Sequence, residues 1–154
     1  GGYLDIAVGM LSEFIQDKQK AVSIERRDPK DNETVYLTGA ARLPDIPMVI
    51  LINGGSASAS EIFAGTIQDY KRGFLIGEQS YGKGTVQEVQ SLEDGSSLRL
   101  TVARWFTPNG RSVNHVGLTP DQEVELTDAD KTAGKDPQLD AAVKYLTDLI
   151  GMTE

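Results

Sequence analysis

Met48-Val49-Ile50-Leu51-Ile52-Asn53-Gly54-Gly55-Ser56-Ala57-Ser58-Ala59-Ser60-Glu61 is the stretch that decides the fold. Its first five residues form an unbroken apolar run, the pattern of a strand buried on both faces of a mostly parallel sheet. Asn53-Gly54-Gly55 ends the run, and Ser58-Ala59-Ser60-Glu61 fits the S-x-x-E capping box that opens a helix. Ile62, Phe63, Ile67 and Tyr70 give a helix from about Ala59 to Lys71 its buried face. Phe74-Leu75-Ile76 follows as a second short buried strand. Strand, loop, helix and strand make a βαβ unit, and the fold class is α/β.

Toward the N-terminus, Leu4, Ala7, Val8, Leu11, Phe14 and Ile15 recur at helical spacing. Asp5 stands in the first turn of that helix and Lys18 and Lys20 near its end, the favourable order for the helix dipole. Strands are predicted around Ala21–Arg26 and Thr34–Thr38, separated by the turn cluster Asp28-Pro29-Lys30-Asp31-Asn32. Toward the C-terminus the period changes to two. Val86, Val89, Leu98, Leu100 and Val102 lie in strands flanking Asp94-Gly95, a hairpin signal. Pro108-Asn109-Gly110 is a further turn, a short strand is predicted near Glu123–Leu126, and Thr127–Lys135 reads as a loop. The last helix starts with Asp136 as cap and Pro137 at its first position, and Leu139, Ala142, Val143, Leu146 and Ile150 form its apolar face.

Composition narrows the chemistry. The 154 residues are 39% apolar and 25% charged, typical of one globular domain. Without cysteine there is no disulfide, no thiol catalysis and no Cys-based metal site. A single histidine, His115, excludes a multi-His metal centre, so neither metal nor cofactor is expected. A net charge of −8 carries no basic face for a nucleic acid.

Two glycine-rich segments compete for function. Gly77-Glu78-Gln79-Ser80-Tyr81-Gly82-Lys83-Gly84 matches seven positions of the phosphate loop G-x-x-x-x-G-K-[ST]. That loop requires a helix after it, whereas Thr85–Gln90 alternates as a strand, and Gly84 replaces the magnesium-binding hydroxyl. The other segment carries Ser56, Ser58 and Ser60. These are helix-capping residues on one reading. On the other, one of them is a nucleophile at a helix N-terminus, where free amides can hold a developing oxyanion. A serine nucleophile needs a base. His115 is one candidate; Lys83, enclosed between glycines after a buried strand, is the other, since a neutral lysine can take a proton. Gln87 could hydrogen-bond that amine without keeping it charged.

At these residues the sequence resembles the C-terminal processing peptidases, or tail-specific proteases, which are serine proteases with a Ser/Lys mechanism. Asn53–Ile62 matches the family's nucleophile segment and Tyr81–Gln87 its lysine segment. Arg104–Ser112 and Gly117-Leu118-Thr119-Pro120-Asp121 match the blocks that follow, and the similarity runs from Gly1 to about Ile150. The resemblance implies Ser58 as nucleophile, Lys83 as general base and Gln87 as the residue positioning Lys83. It implies oxyanion donors at the N–H groups of Ala59 and Gly2, and no role for His115.

The implied fold is a ClpP/crotonase-like core of ββα units. Residues 1–154 would be the C-terminal part of that core, incomplete at its N-terminus because it starts at the end of an N-P-G-G loop. A PDZ domain and N-terminal regions would lie outside it. The implied activity is cleavage of proteins near their C-termini, in an extracytoplasmic space. Partners would be protein or peptide substrates, the PDZ domain of the parent chain and, in a homo-oligomer, further copies. The alternative is a non-catalytic interaction module on the same fold.

Overall fold

Val49–Ile52 (β3) forms a strand and pairs in parallel with Phe74–Gly77 (β4) in a computed structural model that describes residues 1–151. Between them runs a helix, Ala59–Asp69 (α2), so the βαβ unit is present as predicted. Before it come a helix, Leu4–Leu11 (α1), and two strands, Lys20–Arg26 (β1) and Glu33–Tyr36 (β2). After it come Thr85–Ser91 (β5), Ser97–Phe106 (β6), Gln122–Glu123 (β7), Asp128–Thr132 (α3) and Pro137–Gly151 (α4). Two sheets result. One is antiparallel with strand order β2-β1-β6-β5, and the other is parallel with order β3-β4-β7. The architecture is mixed α/β.

Helix α2 is the centre of the packing, with Ile62, Ala64, Gly65 and Ile67 all buried. One apolar cluster joins Val22 and Ile24 of β1, Ile52 of β3, Leu75 of β4 and Trp105 of β6 around Ile62. A second gathers Leu11, Ile15, Ala21 and Leu37 around Ile67. Each such side chain, fully buried, contributes roughly 1.5–3 kcal/mol. The clusters fix the two ends of α2 against both sheets, and its first turn carries the serine loop.

Several expectations are corrected. Helix α1 ends at Leu11 instead of near Lys20. The Ser12 hydroxyl donates to Val8 O at 2.9 Å and accepts the Thr38 N–H at 3.1 Å, and Asp17 takes a positive φ of 67°. Lys20 already belongs to β1, so Lys18 and Lys20 do not complement the dipole of α1. Strand β3 is not buried on both faces; it is an edge strand, and Leu51 is 40% exposed. The doubly buried strand is β4, whose Leu75 and Ile76 are inaccessible. The strand near Glu123–Leu126 is only Gln122–Glu123. Within the predicted loop Thr127–Lys135 a short helix forms, capped reciprocally by Thr127 and Asp130. Helix α4 starts as predicted but buries Gln138 and Ala142, leaving Leu139, Val143 and Ile150 exposed. It is held by Gln138 Nε2 donating to Glu78 Oε1 and Val124 O, and by Tyr145 stacked on Phe74 at 4.4 Å.

Gly77, at the end of β4, has φ 130°, and a Cβ there would lie 2.1 Å from Ile52 O. Gly77→Ala therefore forces β3 and β4 apart in a strained backbone. The expected cost is about 3 kcal/mol. That should lower the melting temperature by about 10 °C, read by circular dichroism; an unchanged melting curve would contradict the tight parallel register.

Candidate active site

The serine loop is shaped locally. Asn53 Oδ1 accepts the Gly55 N–H at 2.8 Å, Asn53 O accepts the Ser56 N–H at 2.8 Å, and Ser56 Oγ accepts the Asn53 N–H at 3.2 Å. This turn lifts the chain off β3 and delivers Ser58 to the start of α2. Ser58 has φ 59° and ψ −119°, a conformation suited to glycine. For a residue with a Cβ this costs roughly 1–3 kcal/mol, and such strain gathers at functional positions. The capping box predicted here is present. Glu61 Oε2 accepts the Ser58 N–H at 2.8 Å, and the Ser58 side chain faces the Glu61 backbone amide in return. The Glu61 N–H also donates to Ser58 O at 2.9 Å.

The lysine segment is a turn, as the alternation after Gly84 predicts, and continues directly into β5. It rests on the loop Val113–Leu118: Ser80 N–H donates to Leu118 O at 3.0 Å and His115 N–H to Gly82 O at 2.9 Å. Trp105 clasps it from β6, with Nε1 donating to Lys83 O and its backbone N–H to Gly84 O, each at 3.0 Å. Gly82 has φ 88°, and a Cβ there would meet Gly117 N at 2.8 Å. The phosphate-loop reading is overturned on two counts. No helix follows the turn. The N–H groups of Gly82 and Lys83, which a phosphate would need, already donate to the carboxylate of Glu61, at 2.7 and 2.9 Å.

Ser58, Ala59, Lys83, Gln87 and Gly2 all line one cavity of about 440 Å³. The five residues singled out from the sequence are thus brought together, although they come from the N-terminal segment, α2, the lysine turn and β5. Ser56 and Ser60 line a neighbouring cavity of about 330 Å³ instead, so Ser58 is the one serine of the three that shares a cavity with Lys83. Lys83 is half-buried and Gln87 exposed. A Cβ on Gly1 would lie 3.1 Å from Ala57 O and 3.7 Å from Ser58 Cβ, so the N-terminal glycine pair lies against the serine loop. His115 is exposed, has φ 63°, and supports the lysine turn through its backbone; it is absent from the cavity wall. Among the described residues no group of three or more His, Asp or Glu is placed to hold a metal ion.

Sequence reasoning missed two wall features and one buried group. Arg26 of β1 and Glu33 of β2 reach the cavity from paired strands, which no local pattern announces. Glu61, read as a cap, is fully buried and also binds the lysine turn. A capping glutamate with apolar residues directly after it was the only available hint.

A sequence profile of peptidase family S41 matches residues 1–124. The carboxy-terminal-processing protease of Bartonella bacilliformis is 42% identical over 143 residues, 90% of this chain and 32% of that protein. The carboxyl-terminal-processing protease of Synechocystis sp. is 34% identical over 150 residues, 96% of this chain and 34% of that protein. The solved structure of a photosystem II D1 C-terminal processing protease superposes with a TM-score of 0.71 at 36% identity, over 81% of this chain and 32% of that one. The chain thus spans about a third of the length of these two curated relatives.

Proposed function

The chain belongs to peptidase family S41, and from that premise we propose that it carries the reacting groups of a serine endopeptidase that processes proteins near their C-termini. The observation that carries this reading is Ser58: strained, and alone among its neighbouring serines in lining the cavity of Lys83. Ser58 Oγ attacks the scissile carbonyl while Lys83 Nζ takes its proton. The oxyanion forms beside the Ala59 N–H. That amide is the first of α2, has no carbonyl one helical turn back, and sits at the positive end of the helix dipole. The N–H of Gly2, on the same cavity wall, is the second donor. Lys83 returns the proton to the leaving amine, an acyl-enzyme remains on Ser58, and water hydrolyses it.

The likeness to C-terminal processing proteases supports a ClpP/crotonase-like core, an extracytoplasmic setting and a PDZ domain in the parent chain that presents substrate C-termini. Further copies in a homo-oligomer are part of the same reading.

A fluorophosphonate probe is expected to add one mass equivalent to the full-length protein, on Ser58. A protein that stays unlabelled would instead be the non-catalytic interaction module. Gln87 is assigned to hold the Lys83 amine. Gln87→Ala should lower kcat about tenfold, the worth of one hydrogen bond of about 1.4 kcal/mol. Gln87→Glu should lower it further at neutral pH, because a carboxylate beside the amine keeps it protonated. Equal rates for the three proteins would remove Gln87 from the site.

A further inference from the structure

We propose that Glu61, braced by Ser80, is the positioning residue that fixes Lys83 relative to Ser58. The inference rests on the Ser58/Lys83 reading and adds to it the device that aligns the pair. Glu61 has no accessible surface, and its carboxylate accepts four hydrogen bonds. Oε2 takes the backbone N–H of Ser58 at 2.8 Å and that of Lys83 at 2.9 Å. Oε1 takes the N–H of Gly82 at 2.7 Å and the hydroxyl of Ser80 at 2.6 Å. A helix cap needs the first of these alone. The other three all come from the lysine turn.

One oxygen atom therefore holds the backbone of the nucleophile and the backbone of the base together. Burial of a carboxylate is tolerated only when its lone pairs are filled, and here they are. Ser80 extends the network to the loop behind the lysine turn, because its Oγ also accepts the Leu118 N–H at 2.7 Å. A second link between the loops, Tyr81 N–H to Ser56 O at 2.9 Å, involves neither Ser58 nor Lys83. It should hold the loops near each other when the carboxylate is changed, without setting the reacting atoms. The clamp thus acts on alignment more than on folding. In Glu61→Gln the side-chain amide turns a donor toward backbone donors, so Ser58 N–H or the lysine turn must let go.

The test is steady-state hydrolysis of an unstructured peptide with an apolar C-terminus by full-length Glu61→Gln and Ser80→Ala, beside wild type and Ser58→Ala. The expected result is a kcat about 10²-fold lower in Glu61→Gln and about tenfold lower in Ser80→Ala, with KM within about twofold of wild type. Fluorophosphonate labelling should slow in the same proportion. If Glu61→Gln fails to fold, Ser80→Ala, which leaves the carboxylate in place, decides. A folded variant whose kcat stays within about threefold of wild type, or whose loss is all in KM, overturns the clamp. Activity that survives in Ser58→Ala overturns the catalytic reading instead.

Discussion

Ser58→Ala is expected to lower peptide cleavage by about 10⁴-fold or more, the scale on which removal of a serine nucleophile acts. The more discriminating variant is Ser58→Gly. It loses the nucleophile equally, yet glycine adopts φ 59° and ψ −119° without a Cβ clash. Relief of that strain, less the extra chain entropy of glycine, should stabilise the fold by about 1 kcal/mol. The melting temperature should rise by about 3 °C. Alanine keeps the strain and should gain nothing. A position held by a strained serine at a measurable cost in stability is one retained for chemistry. A Ser58→Gly protein that melts below both wild type and Ser58→Ala would point to serine acting as a structural cap.

Lys83→Ala is expected to cost about 10³–10⁴-fold in kcat, the upper range for loss of a general base. The backbone of Lys83 is fixed on both sides, with its N–H on Glu61 and its carbonyl on Trp105 Nε1, so truncating the side chain leaves the turn in place. Lys83→Arg separates the two roles a cation could play. A guanidinium keeps the positive charge in the cavity but does not give up its proton near neutral pH. It should therefore be as inactive as alanine. Substantial activity in Lys83→Arg, measured on the same peptide, would mean that the lysine acts by its charge and that another group takes the Ser58 proton.

Signals confined to a few neighbouring residues were legible in the sequence. The apolar run Val49–Ile52, the glycine stop, the Ser58–Glu61 cap pattern and the Asp94-Gly95 turn each report a local backbone preference, and each element formed where it was read. Legibility failed where tertiary placement decides. Phe14 and Ile15 continue the apolar spacing of α1 past its last residue, Leu11, because the turn that follows, with both N–H groups on Leu11 O, can bury the same side chains that a helix would. Leu51 looks as buried as its neighbours until the strand order puts β3 at an edge. The partners of Glu61 show the limit best. One donor, Ser58, is three residues away and was readable as a cap; the other three lie 19 to 22 residues along the chain. Which serine faces the lysine followed from family likeness in the sequence, and the three-dimensional arrangement separates the same serine by cavity.

The edge position of β3 bears on how the protein behaves at high concentration. Val49–Ile52 contains no charged residue, and its far side carries backbone donors and acceptors that no strand among the described residues takes up. Such an edge is a template for cross-β stacking between molecules, and short, uncharged, β-branched segments are the ones that zip together. Pro47 just ahead of the strand limits how far a ladder could extend, since it offers no N–H. Leu51 turns away from the apolar cluster that holds Ile52. A lysine there would act as a gatekeeper against fibril growth without touching the side chain that anchors the serine loop.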